Sequence, residues 1–420
     1  MNSNYVDKLT KQEFLKLIPT RRINKVLDVQ NVKDAILCPL TIEQSNISIE
    51  IIQNDNTILP EVNSNIYYQT LPEVNSHIEV IYKKEETIIY LGCMYNCWGH
   101  FFTDGFSKVW YLLTDEYKLK YKGKVKIAVS FIGNDIKYCP KPLLELYQLL
   151  GIKENDILVI TEPTKFKSII VPDNSLFFHN GTRHFTKDYC DVIQTIIDAV
   201  EPMNDRKFEK IYLSRTHFTK GNADFGEKSL EVVFKRLGYT IIHPQEYSIR
   251  EQLSIFKTAK SFVSTTGSLG HNSLFCNANT EVILLRKCFA IFDYQLVINE
   301  ARDLTVTYID THLTCFVNDQ PNNGPFFLYR NTNFCRFIKD RFGIVVKEDF
   351  STKRYMRYMR ICLMRNDMKN RTQAHEYYFN KLREELQNDS WKKRIYDAMR
   401  ELMPKSITNQ LKKIYFRCIR

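Results

Sequence analysis

The chain is 420 residues long, 44% hydrophobic and 13% aromatic, with only 14 glycines and 13 prolines. That is apolar material for two ordinary domains, and it excludes collagen-like, low-complexity and disordered classes. Residues 351–420 hold 18 Lys and Arg against 7 Asp and Glu, so the formal charge of +11 lies there and the first 350 residues are neutral. The basic excess is expected to act apart from the main body.

Met1–Leu17 mixes charges with apolar side chains and lacks the continuous apolar stretch of a secretory signal. No run of about 18 apolar residues suggests a membrane span. The 11 cysteines are scattered from Cys38 to Cys418. Cys93 and Cys97 are close, but no second pair follows at zinc-ligand spacing. Reduced thiols in a cytoplasmic protein are the simplest expectation.

Residues 1–85 show no clear alternation. Leu59-Pro60-Glu61-Val62-Asn63-Ser64 recurs as Leu71-Pro72-Glu73-Val74-Asn75-Ser76, two copies too short to build a solenoid. From residue 86 strands alternate with helices. Strands are predicted at Thr87–Gly92, Lys124–Phe131, Asp156–Thr161 and Ser168–Val171, and helices at His100–Leu113, Lys141–Leu150 and Thr186–Val200. A second series has strands at Lys210–Ser214, Tyr239–His243, Ser261–Thr266, Glu281–Arg286 and Thr305–Ile309. Its helices are Lys228–Leu237, Ser248–Lys260 with a Ser248-x-x-Glu251 capping box, and a short one from His271. Such alternation implies parallel sheets with helices on both faces. A break near residues 201–207 separates a first Rossmann-like domain (86–203) from a second (204–315). Residues 1–85 precede them and a basic region (316–420) follows. A ligand cleft is expected between the two domains, at the carboxyl ends of the strands.

In the tail, Trp391, Ile395, Ala398, Met399 and Leu402 follow helical spacing, as do Ile407, Leu411, Ile414, Tyr415 and Ile419, with lysines and arginines between. This fits an amphipathic helix on an anionic membrane surface, and equally a helix packed on the body with a solvated basic face. No recognised nucleic-acid module accompanies the charge, so a nucleic-acid partner is not expected.

Three segments could carry chemistry. In Asn96-Cys97-Trp98-Gly99-His100-Phe101-Phe102-Thr103-Asp104, His100 and Asp104 stand four apart on one helix face. A carboxylate beside an imidazole orients the ring and raises its basicity, as a general base requires. The same spacing also suits a helix-capping histidine and a solvated aspartate. Ser214-Arg215-Thr216-His217 follows a strand, where a guanidinium is well placed for a diphosphate. Ser264-Thr265-Thr266-Gly267-Ser268-Leu269-Gly270-His271-Asn272-Ser273 runs from strand through a two-glycine turn into a helix. Such turns aim backbone N–H groups at phosphate, although a tight structural turn reads the same way.

Lys210 to Leu285 resembles the characteristic block of glycosyltransferase family 61. It offers Ser214-Arg215, Gly226-Glu227, Gly238-Tyr239, Glu246-Tyr247-Ser248-Ile249-Arg250-Glu251-Gln252 and Gly267-Ser268-Leu269-Gly270-His271-Asn272, in order. The segment from Asn96 resembles the family's upstream Asn-x-x-His-x-x-x-Asp helix, with one extra residue between Asn96 and His100. Thr266 stands where the family often has His, and Gly226 where it usually has Asn. The resemblance implies a GT-B-like α/β fold with two facing Rossmann-like domains and the nucleotide held mainly by the second. It implies inversion without an obligatory metal, no cofactor, and a nucleotide-sugar donor, UDP by analogy. The acceptor would be a glycan in capsular or surface polysaccharide synthesis at the inner face of the membrane. Asp104, or His100 assisted by Asp104, would be the base. Ser214, Arg215, His217, Gln252, Gly267, Ser268, Gly270, His271 and Asn272 would serve the donor. The rival readings are a polysaccharide pyruvyltransferase using phosphoenolpyruvate and an inactive scaffold of a glycan-assembly complex.

Overall fold

A computed structural model describes residues 2–6, 17, 20–39, 41–43, 46–48, 51–52, 82–94, 98–131, 139–179, 181–218, 224–288, 290–313 and 326–355. The Leu59–Ser76 repeat, Asn96, Cys97 and the basic tail beyond residue 355 lie outside the described residues.

In chain order the strands and helices begin with β1 (Asn2–Tyr5), β2 (Val29–Leu37), β3 (Thr41–Glu43), β4 (Asn46–Ser48), β5 (Ile51–Ile52), β6 (Tyr82–Met94) and α1 (Trp98–Thr103). There follow β7 (Lys126–Phe131), α2 (Lys141–Leu149), β8 (Ile157–Val159), β9 (Thr164–Pro172), β10 (Leu176–His179), β11 (Thr182–Phe185) and α3 (Lys187–Asp198). The second half holds β12 (Lys210–Leu213), β13 (Asp224–Phe225), α4 (Glu227–Arg236), β14 (Thr240–Ile242), α5 (Ile249–Thr258) and β15 (Ser261–Thr265). It ends with β16 (Glu281–Arg286), α6 (Asp293–Ala301), β17 (Thr305–Asp310), β18 (Phe326–Phe327) and α7 (Thr332–Phe342).

Two six-stranded sheets result. The first has order β5-β2-β9-β6-β7-β8, with β9, β6, β7 and β8 parallel and β2 antiparallel to both neighbours. The second, β1-β17-β16-β15-β12-β14, is parallel throughout. The chain is thus a mixed α/β protein with parallel sheets. Strand β16 shows why: after Glu281 its Val-Ile-Leu-Leu-Arg run is buried completely, as a central parallel strand covered on both faces must be. β1 closes one edge of the second sheet on β17. α7 packs Phe334, Phe337 and Ile338 onto the same half.

The helices follow their apolar spacing. α3 buries Tyr189, Val192, Ile193, Ile196 and Ile197, each worth roughly 1.5–3 kcal/mol relative to exposure. α5 starts at the expected capping box: Ser248 accepts from the Glu251 backbone while Glu251 accepts from the Ser248 backbone. One expectation fails. The helix predicted over His100–Leu113 stops at Thr103 and continues as 3-10 turns at Asp104–Phe106 and Val109–Leu113. Side-chain hydroxyls compete for its carbonyls: Thr103 Oγ1 donates to Gly99 O at 3.0 Å and Ser107 Oγ to Asp104 O at 2.7 Å. The apolar residues Phe102, Phe106, Val109 and Trp110 are still buried. Likewise the short helix expected from His271 is a 3-10 segment, Gly270–Phe275.

Apolar packing does not divide between the sheets. One cluster of buried side chains runs from Ile89 and Val129 through Phe102 and Ile193 to Leu213, Phe275 and Tyr308. Among the described residues, no helix is long and apolar enough to cross a membrane.

In the second sheet β14 lies to one side of β12, and the chain then crosses to place β15 on the other side. The crevice of such a sheet opens at that reversal, beyond the carboxyl ends of β12 and β15. Arg215 follows the first of these strands and the Gly267 turn follows the second.

Gly226 precedes α4 with a left-handed φ of 85°, a conformation that glycine takes without strain. In this chain a β-carbon would also sit 1.9 Å from the Leu328 carbonyl oxygen. Gly226→Ala is expected to cost about 1–3 kcal/mol for the backbone alone and more for the clash, read as a lowered Tm.

Candidate active site

The first and third sequence segments meet. Trp98 Nε1 at the start of α1 donates to Asn272 Oδ1 at 2.9 Å, and Asn272 Nδ2 donates to Leu269 O at 2.9 Å. Gly99 is required by this approach, because a β-carbon there would lie 2.8 Å from Ser268 Oγ and 2.9 Å from His271 Nδ1. The turn itself is shaped by Gly267, whose φ is 102°.

Behind that contact lies a buried polar chain. His100 Nδ1 and Asp104 Oδ2 are 2.9 Å apart. Tyr294 OH donates to Asp104, 2.7 Å from Oδ1 and 2.5 Å from Oδ2. Arg183 Nη2 in turn donates to Tyr294 OH, and its guanidinium lies 3.9 Å from the Tyr294 ring centre. Asp104 is therefore buried and bonded, which overturns the reading of it as a solvated residue. Its carboxylate is 5% exposed and the His100 side chain 32%, so His100 is the member of the pair that reaches solvent.

Tyr294 is held from three sides. Its neighbour Asp293 accepts from Arg21 Nη2 at 2.6 Å and from the Arg183 backbone at 2.8 Å. Glu300, later on α6, accepts the backbone N–H groups of Arg21 and Arg22 at 2.9 and 3.0 Å. Burial, then the Asp104 charge, pushes the Tyr294 phenol well above its ordinary range, so it stays a donor.

The second segment opens on a cleft of about 680 Å³. Ser214, Arg215, Gln252, Ser268 and Asn272 line it from one half; Trp98, Lys141 and Glu145 line it from the other. Phe218 and Tyr247 add aromatic faces. Several of these groups already have work. Ser214 Oγ donates to Glu231 at 2.8 Å. Gln252 Nε2 donates to the carbonyls of Pro244 and Tyr247, at 2.8 and 3.1 Å, and so pins the turn between them. Arg215 lines the cleft while Asp224 Oδ2 backs its Nε at 3.7 Å. Asp224 is itself buried against Lys287 Nζ, 3.4 Å away, and accepts from Thr265 Oγ1 at 3.3 Å. Both oxygens of Glu227 lie 3.2 Å from the Arg215 backbone nitrogen. Burial and the nearby Asp224 charge push the Glu227 carboxyl up towards neutral pH.

The other expected donor residues sit elsewhere. Gly267 and Gly270 shape the turn without lining the cleft. His217 stands at the rim, its ring stacked on His243 with centres 3.5 Å apart. His271 is buried behind the turn, near Tyr294, with hydrogen-bond partners for neither ring nitrogen among the described residues. Tyr294, Arg183, Asp224 and Lys287 were missed by sequence reasoning. Tyr294, Val297, Ile298 and Ala301 do follow helical spacing, which reveals α6 but not the partner of its first tyrosine.

Burial, with the charges of His100 and Lys287, lowers the His271 pKa from 6.5 to about 3. A folded value below the unfolded one means that the unfolded chain takes up the proton first. The stability is complete above pH 6.5 and is lost as pH falls from there towards 3, by up to about 1.4 kcal/mol per pH unit. His271→Gln should flatten the fall of Tm between pH 6.5 and 4 relative to the parent protein, whatever its absolute stability.

Residues 98–283 match the family model described as Glycosyltransferase 61. Among curated proteins none matches the chain. The matched span contains the His100–Asp104 pair, the Arg215 loop and the Gly267 turn, and on this match the protein is a glycosyltransferase.

Proposed function

We propose that the protein transfers a sugar from a nucleotide donor, UDP-linked, to a glycan hydroxyl with inversion and without a required metal. The observation that carries this reading is the cleft shared by Arg215, the Gly267 turn and Trp98, with the His100–Asp104 pair on the helix that Trp98 begins. Two sheets meeting at such a cleft correspond to a GT-B arrangement.

His100 is the base in this reading. Its Nδ1–H donates to Asp104, which leaves the lone pair on Nε2 and stabilises the ring once it is charged. Asp104 orients and does not take the proton. The acceptor oxygen attacks the anomeric carbon from the face opposite the donor diphosphate, its proton passes to His100, and the bond from anomeric carbon to phosphate oxygen breaks. The diphosphate leaves with the electron pair. Arg215 meets that charge, helped by backbone N–H groups of the turn at Gly267. Burial of the Asp104–Tyr294 pair strengthens the orienting bonds. We read the acceptor as capsular or surface polysaccharide at the inner face of the membrane. The basic excess of residues 351–420 supports this, because positive charge is drawn to anionic lipid.

Arg215→Ala is expected to lower turnover by about 10²–10³-fold, with Tm kept within a few degrees. UDP and one UDP-sugar should raise the Tm of the parent protein but not of this variant. Normal turnover by a folded Arg215→Ala protein removes the residue from the mechanism. Stabilisation by phosphoenolpyruvate and by no nucleotide would instead favour pyruvyl transfer. His100→Ala should lower kcat by about 10²–10⁴-fold while leaving nucleotide stabilisation intact, which separates the base from the donor site.

A further inference from the structure

At the outer rim of the cleft, three metal-ligating side chains from two loops come together. His217 lies in the loop after β12; His243 and Glu246 flank the turn after β14. One nitrogen of each imidazole and one carboxylate oxygen lie within 4.8 Å of one another. His217 Nδ1 and Glu246 Oε1 are hydrogen-bonded at 2.7 Å, a contact that an ion between them would replace. His243 is 8% exposed, and its Nδ1 is buried without a hydrogen-bond partner. Its ring also bonds the Ser214 backbone. A histidine fixed by a backbone group through one nitrogen, with the other unsatisfied, is the usual arrangement of a metal ligand.

We propose that His217, His243 and Glu246 bind one divalent cation of the zinc class. Two imidazoles and a carboxylate suit a first-row transition ion better than magnesium or calcium, which take oxygen ligands. The rings stack with their planes 12° apart, so His217 swings off the stack to converge on the ion. Its 55% exposed side chain leaves it room to do so. The ion is separate from the transfer chemistry: the diphosphate is still met by Arg215. It ties the loop carrying Arg215 to the turn of Pro244 and Gln245, both of which wall the cleft. This proposal does not depend on the identity of the donor.

The test uses the full chain, stripped with a chelator and titrated with Co²⁺ and then Zn²⁺. The result expected is one equivalent bound, a visible Co²⁺ spectrum without thiolate charge-transfer bands, displacement by Zn²⁺, and a Zn²⁺-dependent rise in Tm. His217→Ala and Glu246→Gln alter exposed side chains and so keep the fold; each should weaken binding by at least about tenfold, as loss of one ligand in three requires. Absence of stoichiometric binding overturns the proposal. So does undiminished binding in both variants, or a thiolate spectrum, which would place the ion on cysteines.

Discussion

A buried carboxylate must be met by donors or it loses its charge, and Asp104 is met from opposite ends of the chain. His100 is its neighbour on the same short segment; Tyr294 arrives from 190 residues away. Everything around the pair works to keep Tyr294 in place. Arg183 from the β10–β11 hairpin supplies its charge, and Arg21 and Arg22 strap the helix that carries it. The shared apolar cluster excludes water from the region, which is why these bonds hold a single geometry.

The surroundings of Arg215 are built on the same principle with the signs exchanged. Arg215 must remain at the cleft with its charge available, so the protein backs it with a buried carboxylate and balances that carboxylate with Lys287. Glu227 carries the Arg215 backbone from below. Two carboxyls this close do not both ionise cheaply, and burial settles the matter by raising Glu227. Asp224 lies between the side chains of Arg215 and Lys287.

These two constructions touch at Gly99, where absence of a side chain lets α1 rest on the Ser268–His271 turn. The absence of a side chain at Gly99 and the Trp98–Asn272 hydrogen bond together fix how closely α1 approaches that turn.

Much of this was legible in the sequence. The parallel strands announce themselves as short apolar runs, the α5 start as a capping box, and Arg215 and Gly267 as loop residues at strand ends. Local rules decide these features, because each depends on neighbours a few residues away. The break after Thr103 was not legible, since hydroxyls that compete with a helix and hydroxyls that tolerate one look alike in a sequence. Nor was the division of labour within His100 and Asp104. Spacing alone paired them; only the arrival of Tyr294 shows that Asp104 is enclosed and His100 exposed. The sequence by itself determined the α/β class and the residues available for chemistry. Tertiary structure alone decided which of them meet, because Asp104 with Tyr294, Asp224 with Lys287 and His217 with Glu246 are joined by chain crossing rather than by spacing.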